Sequence, residues 1–375
     1  MRFLILYFLL VPALLAIADD GQTPLPRPER IEFRYEGKQQ HALGNILVEA
    51  EDGGVLLEAR NQTIWPLQPD DIVSRQQLDE FPKPLGKREL ANVVLNDLPR
   101  GFQVYQTRNY VICYNTSRAY AEWCGSLFER LHRAFRNYWN HRDIDLEDAP
   151  PLVALVFRDR KSYEDYGQQE LDDAIKSILG YYSYKTNRIA MYDLTEGKRP
   201  RSASQINALM RRERTVATII HEATHQLAFN CGLHQRYADI PLWLSEGMAI
   251  YFESPDLTST RGWNTIGDVN RVRLAQFRKY APNQSDKSLL ALIGSDDRFH
   301  TRGQASTAYA ESWAFCYFLI RTEPKAFAKY IKILQQKRPL NDDTPEQRVA
   351  DFRAAFGKLP QEMNRDFLRH IARIK

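Results

Sequence analysis

From Ile31 to Pro84 apolar and polar residues alternate in short runs broken by turn residues, the pattern of half-buried strands. "NILVEAEDGGVLLEA" shows it most clearly: two alternating runs meet at Asp52-Gly53-Gly54, which predicts a hairpin. "TIWPLQPDDI" predicts a further short strand with a proline-marked exit. These residues are expected to form a small β-rich module without a cluster of titratable groups. "DEFPKPLGKREL" is expected to link it to the rest.

From about Phe102 the pattern becomes mixed α/β. "GFQVYQTRNYVICYN" and "PLVALVFRDR" predict strands, and "YYSYKTNRIAMYDL" predicts strand, turn and strand. "SRAYAEWCGSLFERLHRAFRNYW" carries apolar residues every three or four positions, as an amphipathic helix does. A loop around Gly197–Ser204 precedes a helix expected from about Gln205 to Asn230, closed by Cys231-Gly232. Beyond Pro241 every regular segment has helical periodicity. The expected division is a leader over 1–18, a β-rich module and linker over 19–100, and a main domain over 101–375. Within that domain an α/β lobe runs to about 232 and a helical lobe follows.

The leader is read from "MRFLILYFLLVPALLAIADD": a basic Arg2, an apolar run, then Ala16-Ile17-Ala18 ahead of two aspartates. These are the parts of a secretory signal peptide cleaved after Ala18. The competing reading is a membrane anchor, for which the run falls short of the roughly 20 residues a span needs. A secreted or periplasmic protein without a stable membrane span is therefore expected, and oligomeric state is left open. Export permits disulfides among Cys113, Cys124, Cys231 and Cys316. Cys113–Cys124 with Cys231–Cys316 is preferred for the closeness of the first two, against four buried thiols. The net charge of only +4, with no long basic run, gives no support to nucleic-acid binding.

The chemistry is carried by "TIIHEATHQLAFN". On a helix, His221 and His225 stand one above the other and can direct two imidazole nitrogens at one ion. Glu222 is rotated by about 100° from His221, where its carboxylate can act as general base on a water. The flanking residues are apolar, so the helix belongs in an interior, where unpartnered histidines and a glutamate are costly. A catalytic zinc usually takes three protein ligands. Glu246 in "PLWLSEGMAIYFES" is the third candidate, because it lies in an apolar helix beginning near Pro241. His234 is a rival ligand in a polar loop, without the H-x-x-G-x-x-H arrangement of metzincins.

"HEATHQ" followed by "WLSEGMAIYFE" resembles the gluzincin clan of zinc metallopeptidases, which includes thermolysin and the aminopeptidase-N type enzymes. The second segment is similar to the aminopeptidase signature W-L-N-E-G-x-A-x-Y-x-E. From Tyr110 to the C-terminus the chain resembles an uncharacterised group of secreted bacterial gluzincin-like proteins. The resemblance implies an α+β, zincin-like (thermolysin-type) domain with a mostly helical C-terminal lobe. It implies Zn2+ held by His221, His225 and Glu246, with Glu222 as base. Glu253 matches the signature's last glutamate and is a candidate to orient a zinc-bound histidine. A later helix would supply the oxyanion donor, with Tyr309 favoured over His300. The G-x-M-E-N motif that holds a free amino group in aminopeptidases is absent, so exopeptidase specificity does not carry over. "GYYSYKTNRIAMY" is a candidate for the edge strand that aligns an extended peptide.

The expectation is a secreted zinc metallopeptidase acting on a peptide or protein substrate. Two alternatives stand beside it: a catalytically silent cell-envelope binding or assembly protein with a structural zinc, and a zinc amidase acting on cell-wall material.

Overall fold

A computed structural model describes residues 26–195, 198, 202–210, 215–254, 263, 265–285 and 287–375. The expected leader, residues 1–18, lies outside them. Among the described residues no helix is long and apolar enough to cross a membrane.

The alternating N-terminal segment forms five strands: β1 (Arg27–Tyr35), β2 (Lys38–Glu49), β3 (Val55–Ala59), β4 (Ile64–Leu67) and β5 (Ile72–Gln77). They make an antiparallel sheet of order β4-β3-β2-β1-β5. The predicted hairpin at Asp52–Gly54 is the β2–β3 turn. Ile31, Phe33, Ile46, Val55 and Leu57 form the module's own small core. The expected linker ends in a helix that its periodicity did not reveal, α1 (Lys87–Asp97), which turns Leu90, Ala91 and Val94 inward.

The second sheet contains β6 (Gln103–Gln106), β7 (Tyr110–Tyr114), β8 (Leu152–Phe157), β9 (Gly180–Tyr182) and β10 (Arg188–Tyr192). Its order is β6-β7-β8-β10-β9; β7, β8 and β10 run parallel and both edge strands are antiparallel. The central strands are almost entirely apolar because both faces are covered, Arg188 at the start of β10 being paired with Asp97. On β7 and β8, Ile112, Tyr114, Ala154 and Val156 face the larger core, while Val111, Cys113, Val153 and Leu155 face the smaller one. Helices α1 and α3 (Arg160–Leu171) cover the smaller core. On the other face lie α2 (Arg118–Asn140), α4 (Ala203–Met210) and α5 (Thr215–Asn230). Ser117 caps α2 by accepting a hydrogen bond from the Tyr120 N–H. The single helix expected over 205–230 is described as two, α4 and α5, with residues 211–214 outside the described set. Gly232, at φ +74°, follows α5 as expected of a helix stop.

The remainder is helical: α6 (Leu242–Phe252), α7 (Arg271–Tyr280), α8 (Ser288–Gly294), α9 (Asp297–His300), α10 (Ala305–Thr322), α11 (Pro324–Leu334), α12 (Pro345–Phe356) and α13 (Pro360–Ala372). The molecule is α+β, with a β-rich N-terminal region and a helical C-terminal part. All four cysteines are buried free thiols, which corrects the preferred disulfide pairing. Cys113 points into the core on one face of the second sheet and Cys124 into the core on the other, so the sheet separates them. Cys231 and Cys316 share the larger core without bonding, and the Cys316 thiol lies 3.8 Å from the Trp243 carbonyl oxygen.

Candidate metal centre

Helix α5 is buried on nearly every face, so its polar residues need partners inside the protein. Gln226 anchors it: its Nε2 donates to the carbonyls of Val153 and Asn187, at 3.0 and 2.9 Å, tying the helix to β8 and to the turn that leads into β10. Every residue of α6 is buried. Its N-terminus is fixed by the Leu242 N–H, which donates to Asp296 Oδ1 at 3.0 Å, while Arg348 holds the other Asp296 oxygen at 2.9 Å. Further along, α6 closes on α10 at Gly247, where an added Cβ would come within 2.6 Å of the Ser312 carbonyl oxygen.

These supports bring His221, His225 and Glu246 together, with one ligand atom from each lying within 4.8 Å of the others. The Nε2 atoms of the two histidines are 3.1 Å apart. Glu246 Oε2 lies 3.0 Å from His221 Nε2, and Oε1 lies 3.5 Å from His225 Nε2. Ligands about 2.0–2.1 Å from a tetrahedral zinc are separated by about 3.3 Å, so this spacing suits such an ion. The outer nitrogens agree. His221 Nδ1 faces Glu253 Oε2 at 3.3 Å, and His225 Nδ1 faces Ser245 Oγ at 3.3 Å. Carboxylates face both His221 nitrogens and only accept, so the ring either carries a proton on each or, with a metal ion at Nε2, keeps its one proton on Nδ1 for Glu253. Lone pairs and a carboxylate converging in a buried site require a positive charge between them, a proton or a metal ion. The group can hold a metal ion.

Electrostatics shows the same demand. Burial opposes charge on His221, but the carboxylates of Glu246 and Glu253 outweigh it and hold the imidazolium well above the usual histidine range. Burial opposes the Glu246 carboxylate too, and His225 and His221 nevertheless hold it well below the usual range. Glu222 is 1% exposed, and burial pushes its pKa up to about 8; His221 and the Tyr182 N–H oppose the rise and Glu246 adds to it. Its Oε2 accepts from that N–H at 3.0 Å, and its Oε1 has no hydrogen-bond partner among the described residues.

Tyr309 on α10 is 3% exposed, and its hydroxyl feels the charges of Glu246, Arg273 and Glu222. His300 is exposed at the end of α9. His234 is buried, contrary to its polar-loop setting in the sequence, and is not part of the cluster. The candidate edge strand is β9, at the end of the second sheet. Tyr184, Ser245, Asn270 and Arg273 were not picked out from sequence. Ser245 alone had a local signal, standing directly before Glu246. Its hydroxyl links His225 to the Tyr184 hydroxyl, and Tyr184 packs edge-on against Phe229 with ring centroids 4.8 Å apart.

A cavity of about 440 Å³ lies elsewhere, between the N-terminal module and the end of α5. Asn45, Glu58, Gln62, Asn230, His234 and Arg236 line it, and none of the three cluster residues does.

No curated protein matches the chain. A model of a protein family of unknown function, DUF1570, matches residues 215–341, from the first residue of α5 to beyond α11, and so takes in His221, Glu222, His225, Glu246, Glu253 and Tyr309.

Proposed function

We propose that the chain is a zinc metallopeptidase of the gluzincin type, secreted or periplasmic, with a zincin-like domain after the N-terminal module. The observation that carries this reading is the buried convergence of His221, His225 and Glu246 beside a buried glutamate with one carboxylate oxygen unpartnered. Two imidazoles and one carboxylate are a donor set that zinc accepts in hydrolytic enzymes. The order of elements is compatible with a zincin: a mixed sheet with an antiparallel edge strand beside the motif helix, and a helical half beyond it.

Zinc, when bound, polarises the scissile carbonyl and lowers the pKa of a water toward about 7. His221, His225 and Glu246 would hold it. Glu222 takes the proton of the attacking water on its free Oε1 and later delivers it to the leaving amine. The Tyr182 N–H fixes the other carboxylate oxygen, so Glu222 presents one face to the reaction. The Tyr309 hydroxyl donates to the developing oxyanion. Tyr184 and Ser245 keep His225 in register. An extended peptide would align beside β9, the edge strand whose outward Tyr182 N–H already holds Glu222.

The test is cleavage of a diverse peptide library by purified protein, with and without chelator, alongside Glu222→Gln. Internal cuts abolished by chelator are expected. Glu222→Gln should keep its metal and lose about 10²–10⁴-fold in turnover, the usual worth of a general base. An equally active Glu222→Gln would remove the mechanism. A metal-loaded protein that cuts nothing would favour the binding or assembly alternative.

A further inference from the structure

The His221 side of the cluster continues outward through two more residues. Glu253, the residue that closes α6, points one oxygen at His221 Nδ1, 3.3 Å away. Its other oxygen accepts a hydrogen bond from Asn270 Nδ2 at 2.6 Å. Asn270 is also the N-cap of α7, where its Oδ1 accepts from the Arg273 N–H at 3.1 Å. The two ends of this amide cannot be exchanged, because a backbone N–H only donates and a carboxylate only accepts. One side chain therefore holds both the start of a helix and the carboxylate that turns a metal-facing histidine.

Helix α7 is close to the chemistry as well. Arg273 in its first turn is 4% exposed, and its guanidinium carbon lies 5.5 Å from the centre of the Tyr309 ring. If α7 shifts, Arg273 and the Asn270 amide move together. The neighbouring chain is tied to α6 separately, through the Gly267 N–H to the Tyr251 carbonyl at 3.2 Å. The Asn270–Glu253 bond is thus a direct side-chain link from α7 to the carboxylate facing His221, and the Arg273 guanidinium acts on the same carboxylate through its charge.

We propose that Asn270 is a positioning residue that couples metal binding at His221 to the seating of α7. The proposal rests on the zinc reading above. Outer partners of metal-bound histidines typically contribute 10–100-fold in metal affinity. Coupling is reciprocal, so whatever affinity the seated helix adds, the bound metal returns as stabilisation of that helix.

Asn270→Asp and Asn270→Ser separate the two roles. Both keep an oxygen that caps α7. Aspartate lacks the N–H donor that Glu253 uses, and serine is too short to reach it. Zinc affinity is measured by competition with a chromophoric chelator. Amide exchange over 271–280 is followed with and without zinc, and circular dichroism checks helix content. In the parent, zinc should slow exchange across α7. In both variants zinc affinity should fall about 10–100-fold, and zinc should no longer slow that exchange, with helix content unchanged. Parent-like affinity in both variants would overturn the proposal. Loss in Asn270→Asp alone would overturn it too, since charge repulsion and not the missing donor would be the cause. A parent that binds no zinc would instead remove the metallopeptidase reading itself.

Discussion

An imidazole buried without a counter-charge behaves unlike those of the metal cluster, and His234 is that case. It is 2% exposed, its ring centre lies 5.5 Å from that of Phe229, and among the described residues neither ring nitrogen has a hydrogen-bond partner of good geometry. Burial, with some help from His225, pushes its pKa down to about 3. The unfolded chain takes up a proton near pH 6.5, whereas the folded chain waits until about 3, so stability falls as pH drops below 6.5. Between pH 7 and pH 5 this one group should lower the unfolding free energy by about 2 kcal/mol. Denaturant titrations of the parent and of His234→Gln at both pH values should show that difference in pH dependence. Identical pH dependence would mean that His234 takes up its proton in the fold as readily as in the unfolded chain. The same scale shows what a sequence reveals about a site. His221, Glu222 and His225 were legible because helical spacing alone sets their relation, and Glu246 because a carboxylate stood in an apolar helix. Asn270 and Tyr184 were not, because each reaches the site from a separate element that only tertiary packing brings near.

At the level of elements, the cluster depends on how closely α6 approaches α10. Gly247 directly follows Glu246, and a Cβ there would meet Cys316 Sγ at 2.5 Å and the Ser312 carbonyl oxygen at 2.6 Å. The carbonyl is backbone within α10 and cannot turn aside, so Gly247→Ala must push the helices apart. Overpacking of this kind costs about 1–3 kcal/mol. Thermal denaturation of Gly247→Ala should show the loss, and zinc affinity should fall with it as Glu246 moves off His221 and His225. An unchanged melting temperature would mean that α6 can slide along α10 without strain. Strands and long helices were read correctly where one pattern persisted: an apolar run in β8 and α6, and apolar residues every three or four positions in α2. Helix α1 was missed because prolines and glycine just before it gave the stretch the composition of a linker. The helix expected over 205–230 covers α4 and α5, both helical as its apolar spacing indicated, with residues 211–214 outside the described set.

For the whole molecule, the sequence showed two regions but not how they are joined. The β-rich module is bonded into the main domain near the motif helix. Arg236 reaches Glu58 Oε1 at 2.6 Å and the Gln62 carbonyl at 2.8 Å. Gln62 in turn accepts from Asn187 Nδ2 at 2.6 Å, and the Asn187 carbonyl accepts from Gln226 on α5. Four residues thus connect the first sheet to the helix carrying both histidines, through partners far apart in sequence that no local period marks. The sulfur atoms give a way to time the opening of this assembly. All four thiols are 0% exposed, and burial pushes Cys231 to about 11 and Cys113 to about 12. Reaction with an alkylating reagent needs thiolate and access together, so labelling at neutral pH counts openings of the fold. Mass spectrometry after timed iodoacetamide pulses in mild denaturant should find Cys113 and Cys316 modified at one common rate if the two cores on either side of the sheet open together. Earlier labelling of Cys316 would instead show the helical lobe letting go first, and zinc should delay that event while leaving Cys113 unaffected.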